Sequence, residues 1–226
     1  MKPSKRGWGL FERRECLLPT WRGWLVLLLI GAGLVVFGMR EVYPFLAVND
    51  PIPGGVLVVE GWLPDYALEE TIGEFKRDHH HKLFVTGGPL EEGMPLSEYR
   101  SFAELGAAVL VRLGLDTNVV QAVPAPEVRR DRTYACAVAL KSWLHQHGVG
   151  ETNINVISMG AHARRTRLLF REALGNGYKV GVICIESRGY DPKRWWESSE
   201  GVRSVTGETI AYCYARLLFR QPTESE

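Results

Sequence analysis

The chain is 226 residues long, 46% hydrophobic and 23% charged, with 27 basic and 26 acidic side chains. That size suits one globular domain with an appendage, and the near-balanced charge argues against a global basic field for nucleic acid and against an acidic tail. The basic residues are unevenly spread: Lys2, Lys5, Arg6, Arg13, Arg14 and Arg22 crowd ahead of the longest apolar run.

That run, residues 23–39, carries no charge. At about 1.5 Å per residue it spans roughly 25 Å, close to the ~30 Å hydrocarbon core of a bilayer. Trp21 and Trp24 suit one membrane interface, and Tyr43 and Phe45 the other. A soluble core helix would keep a polar face, and none is visible here. The expected layout is a basic N-terminus at 1–22, a transmembrane anchor at 23–42 and a linker at 43–53. An α/β domain at 54–220 and a tail at 221–226 complete it. Basic residues before the apolar run predict a cytoplasmic N-terminus and an extracytoplasmic domain. The rival is a cleaved signal peptide, but its front region would be unusually long and residues 39–43 hold no small-x-small cleavage site. Cys16 precedes the run. Cys136, Cys184 and Cys213 fall in apolar-patterned segments, an odd three without zinc-type spacing, which predicts buried free thiols. One disulfide stays open in an oxidising compartment.

Beyond the turn-rich residues 50–55, strand patterns alternate with helix patterns. Strands are expected at 56–59, 82–86, 119–123, 155–158 and 178–185. The first is a continuous β-branched-rich run, as in a strand covered on both faces. Helical periods separate them, through Cys136, Leu140, Trp143 and Leu144, through Thr166, Leu169, Phe170 and Ala173, and finally through Ile210, Tyr214, Leu217 and Leu218. This alternation predicts an α/β fold, a Rossmann-like three-layer sandwich with a mostly parallel sheet.

In open sheets of this class, ligands sit beyond the carboxyl ends of the strands. The polar residues that follow each strand are therefore expected on one rim: Glu60, Gly61, Trp62 and Asp65; then Thr86, Gly87 and Gly88; then Glu127, Arg129, Arg130, Asp131, Arg132 and Thr133. Gly160, His162, Arg164 and Arg165 follow the fourth strand, and Glu186, Arg188, Tyr190 and Asp191 the fifth. His162 is a candidate general acid or base at a helix start, where Arg164 and Arg165 oppose the helix dipole and so predict an anionic partner. Glu60, directly after an apolar strand, is the candidate general base, and a raised pKa would suit it. Gly61, Thr86, Gly87, Gly88, Arg130, Arg132, Thr133, Gly160 and Arg165 are the candidate binding residues, with glycine backbone open to close approach. Asp131 is a candidate helix N-cap. His79, His80 and His81 read as solvated, because consecutive loop residues do not converge on one ion. No metal site and no cofactor are expected. The phosphate loop, the serine-hydrolase elbow and the dinucleotide fingerprint are all absent.

Four blocks, in order, resemble the bacterial YdcF/SanA/ElyC-like family over about residues 54–219. They are Val58 to Gly61, Val85 to Gly88, Asp131 to Ala135, and Ile157 to Arg165, the last carrying His162-x-x-Arg165. The resemblance implies a Rossmann-like fold, often one N-terminal membrane helix, and a role in envelope biogenesis involving peptidoglycan, polyprenyl-phosphate carriers or barrier function. One soluble member of the family is associated with S-adenosylmethionine. This chain departs from the family pattern at Glu60-Gly61-Trp62, around Thr133 and over residues 190–197. The expectation is a single-pass protein of the bacterial inner membrane whose outer domain binds or processes a phosphorylated or anionic envelope precursor. No nucleic acid partner is expected. A non-catalytic binding module is one alternative. A nucleotide-type or S-adenosylmethionine binder is another, and would want an acidic residue after the second strand, where none precedes Glu91 and Glu92.

Overall fold

Five short strands pair into one parallel sheet whose central members are buried on both faces and so are covered by helices on either side. The computed structural model describes residues 19–77, 80–90 and 97–221; Cys16, His79, Glu91 and Glu92 lie outside them. The strands are β1 (Val56–Glu60), β2 (Leu83–Gly87), β3 (Val120–Pro124), β4 (Asn153–Met159) and β5 (Lys179–Ile185). Their spatial order is β3-β2-β1-β4-β5, with every neighbouring pair parallel.

After α1 (Trp21–Leu46), the helices are α2 (Asp65–Arg77), α3 (Phe102–Arg112), α4 (Arg132–Gln146), α5 (Ala163–Leu174) and α6 (Ser199–Leu217). Strand side chains alternate between the two layers. Leu57 and Val59 pack with Leu68 of α2 and Leu110 of α3, whereas Val56, Val58 and Phe84 pack with Leu140 of α4 and Phe170 of α5. The chain builds outward from β1 through β2 to β3, then returns by α4 to β4 on the other side of β1. The switch point, where such sheets open a crevice, is therefore between β1 and β4.

The chain divides into two compact units between Gly38 and Met39. Among the described residues one helix, α1, is long and apolar enough to cross a membrane. It continues past the expected end at residue 42, because Tyr43 and Leu46 are buried with Ala161, Tyr190, Trp195 and Val205. Trp195 is a core residue, and its indole donates to the Met39 carbonyl at 2.8 Å.

The segment expected to be a bare linker is fastened to the sheet. Asn155, fully buried, accepts from Ile52 N–H at 2.9 Å and donates to the Ile52 carbonyl at 2.7 Å. Asp50 bridges Val182 and pairs with Arg167 at 2.7 Å. Gly181 makes room for this crossing: a Cβ there would stand 2.3 Å from Asn155 Oδ1.

Three expectations are corrected. His80 is buried rather than solvated, with Nδ1 2.9 Å from the Gly55 carbonyl and its ring beside Phe75. Cys213 is exposed, and Cys136 and Cys184 are only partly buried; all three are free. On α6 the apolar period reads the wrong face: Ile210, Leu217 and Leu218 are about three-quarters exposed at 71%, 77% and 71%, while Gly201, Val205 and Ala215 face inward.

Asn155→Ala should destabilise the folded chain by about 2–3 kcal/mol, since it strands buried backbone groups of the crossing segment. Denaturant titration of the detergent-solubilised protein measures this, and an unchanged midpoint contradicts the assigned role.

Candidate active site

Glu60 ends β1 on the face that carries Val56 and Val58, and so points toward α4 and α5. It is 4% exposed. A carboxylate desolvated to this degree needs several donors, and the neighbouring elements supply them. One step past the Val59–Ile157 pair, Ser158 of β4 donates to Glu60 Oε2 at 2.6 Å, and Thr166 of α5 donates to the same oxygen at 3.3 Å. His162, in the 3-10 turn Gly160–His162 that leads into α5, holds Nε2 3.3 Å from Oε1. The Trp62 side chain also donates to Glu60, and its ring meets the imidazole edge-on at 5.4 Å.

The other side of His162 faces α6. Nδ1 lies 2.9 Å from Glu208 Oε1, and Arg165 grips the same carboxylate through Nε at 2.8 Å and Nη2 at 2.9 Å. The carboxylates at the two ring nitrogens favour the protonated ring, against the Arg165 Nη2 that also lies 2.9 Å from Nδ1. Glu60, His162, Glu208 and Arg165 thus form a charge-balanced set joining β1, the α5 entrance and α6.

The titration behaviour follows. Burial pulls the His162 pKa down, but the Glu60 charge and the hydrogen bonds to Glu208 and Glu60 outweigh it and push the value up to about 9. Burial raises Glu208, and the hydrogen bonds from Arg165 and His162 then bring it down to about 2. For Glu60, burial is again opposed by the His162 charge and the hydrogen bonds, and the net direction is downward. Glu60 is therefore held ionised, the reverse of the raised value that would suit a general base.

This set forms one wall of a cavity of about 900 Å³ at the switch point. Thr86, Gly87, Gly88, Arg130, Arg132, Thr133 and Arg165 of the expected binding residues also line it, as do Glu127, Arg129 and Asp131. Gly61 and Gly160 do not. A Cβ on Gly61 would meet the Phe102 carbonyl at 2.2 Å, so this glycine serves the packing of α3; Gly160 adopts φ 50° beside Tyr43 and Tyr190. Gly87 likewise gives way to the start of α3, whose N-terminus is closed by a Ser101–Glu104 capping box. Only Gly88 of these four has open space where a Cβ would project.

The fifth rim set goes elsewhere: Arg188 pairs with Glu70 at 2.8 Å and covers Tyr66, and Tyr190 is in the core. Arg164 stacks on Phe45 at 4.0 Å and donates to its carbonyl. Asp131 occupies the α4 N-cap position, but its side chain makes no capping bond.

Glu208, Ser158 and Thr166 escape the sequence reading. Thr166 reads there as a core position, and Ser158 only as the end of the fourth expected strand. Glu208 had one available signal: an acid in helical step with Val205 and Ala215. No family model matches the chain, and no curated protein matches it.

Arg165→Ala leaves Glu208 without the guanidinium that grips it, and should cost about 3 kcal/mol, the low end for a buried pair because each side chain keeps about a fifth of its surface. His162 has a folded pKa of about 9 against an ordinary 6.5, so its stabilisation is complete below pH ~6.5 and is lost as pH rises through about 9. Melting temperatures from pH 6 to 10 should fall in the wild type and stay flatter in His162→Gln. Equal slopes in the two proteins would place the titration elsewhere.

Proposed function

We propose that this chain is a membrane-anchored α/β enzyme of the bacterial envelope that binds and processes an anionic, phosphorylated precursor in the cavity between β1 and β4. The observation that carries the reading is the ionised Glu60–cationic His162–Glu208–Arg165 set at the carboxyl ends of two central strands, facing a cavity large enough for a small ligand. A histidine held protonated at neutral pH in a crevice is equipped to give a proton to a leaving oxygen and to regain one from water, while the ionised Glu60 and Glu208 favour the charged ring. The arginines at the start of α4 suit a negatively charged guest.

Support for the envelope assignment comes from two further features. One is the basic segment ahead of the apolar helix, which favours a cytoplasmic N-terminus and an extracytoplasmic domain in the inner membrane. The other is the resemblance of the strand-end blocks to the YdcF/SanA/ElyC-like family. Under this reading Arg165 first orders the site, since Glu208 occupies its guanidinium, and the precursor meets His162 and the α4 arginines.

The test is a deletion strain in which peptidoglycan and lipid-carrier precursors are measured by mass spectrometry. A precursor should accumulate severalfold, wild-type protein should restore the pool, and His162→Gln should not. Restoration by His162→Gln sinks the proton-transfer role and leaves a binding module. Unchanged pools on deletion sink the envelope assignment.

A further inference from the structure

Thr86 lies on β2, paired in register with Glu60 on one side and Val123 on the other. It shares the sheet face of Phe84, beneath α4. The residue is 1% exposed, and its Oγ1 has no hydrogen-bond partner among the described residues. This sets it apart from Ser158 and Thr166. Those hydroxyls are equally buried on the same face of the switch point, and both are committed to Glu60. A buried hydroxyl left without a partner is a standing cost to the fold, and Thr86 is one of the residues that line the cavity.

Above it begins α4, a helix of 15 residues. The first N–H groups of a helix have no partner within it, and they carry partial positive charge. Side-chain capping would satisfy them, but Asp131 at the N-cap position makes no such bond. Arg132 and Thr133, the first two residues of the helix, line the same cavity, and Gly88 beside them leaves the approach clear of a Cβ. Cys136 in the second turn feels the charge of Glu60, and Asp131 acts on Arg165, so the helix start and the charged wall belong to one site.

We propose that the N-terminus of α4 and the Thr86 hydroxyl form a phosphoryl-binding subsite, opposite the wall that carries His162. Tetrahedral phosphoryl oxygens accept from the α4 backbone N–H groups, as anions do at helix N-termini, and one of them accepts from Thr86. The proposal rests on the reading that this cavity takes an anionic precursor. It adds where the phosphoryl group is held: at the α4 backbone and Thr86 rather than by Arg165.

Full-length protein in detergent is titrated with inorganic phosphate, glucose 1-phosphate and geranyl phosphate by calorimetry. Thr86→Val replaces the hydroxyl with a methyl group of similar shape. It should weaken phosphate binding at least tenfold while the melting temperature holds or rises, because the orphan polar atom is gone. Thr86→Ser should bind within about threefold of wild type. Wild-type affinity in Thr86→Val, or no phosphate binding by the wild type at millimolar concentration, overturns the subsite. So does a lowered melting temperature in Thr86→Val with binding intact, which marks a structural hydroxyl. Tighter binding of the sugar or the prenyl ester than of free phosphate supports the subsite and identifies the source of the group. Phosphate binding lost in Thr86→Val beside unchanged precursor pools on deletion keeps the subsite and removes the envelope role; altered pools with Thr86→Val binding like wild type do the opposite.

Discussion

A carboxylate buried at the end of a central strand must be surrounded by donors or it will not stay charged, and Glu60 organises this domain through that requirement. Each donor brings its own element: Ser158 brings β4, Thr166 and His162 bring the start of α5, and Trp62 brings the loop after β1. The cation recruited to Glu60 then needs a second anion, which Glu208 supplies from α6, and Glu208 in turn is held by Arg165. Desolvating an ion costs several kcal/mol, so the set is stable only when all four charges are present together. The chemistry of the site and the docking of α6 therefore rest on the same bonds.

The cavity has two walls of different character. On the β1–β4 side Glu60, Ser158, Thr166, His162 and Glu208 are matched within the protein, and Arg165, read from sequence as awaiting a guest, is already occupied. On the β2–α4 side the Thr86 hydroxyl has no such match among the described residues, and the Asp131 side chain makes no capping bond to α4. A wall whose polar groups are matched internally is built for positioning and proton chemistry; a wall with unmet donors is built for an acceptor that arrives from outside.

The crossing that leads into β1 follows the same logic of local satisfaction. Proline and glycine make residues 51–55 look like a free tether, yet the buried amide of Asn155 offers one donor and one acceptor to Ile52 and so replaces the strand partner that this backbone lacks. Gly181 is required there by closeness, not by conformation.

The α/β class, the positions of the five strands, the long apolar helix and the placement of Glu60 and His162 at strand ends were all legible in the chain. These features are encoded by local periodicity and by which residue ends an apolar run. The strand order, the inward face of α6, the burial of His80 and the partner of Arg165 were not. Ile210, Leu217 and Leu218 have the spacing of a core stripe and lie exposed, while Glu208, the residue that completes the site, looks like any surface acid. The bonds that decide its role join His162 to a residue 46 positions away, and those of Glu60 reach 106 positions. No local pattern records such pairings; they exist only once the sheet has set which strands are neighbours.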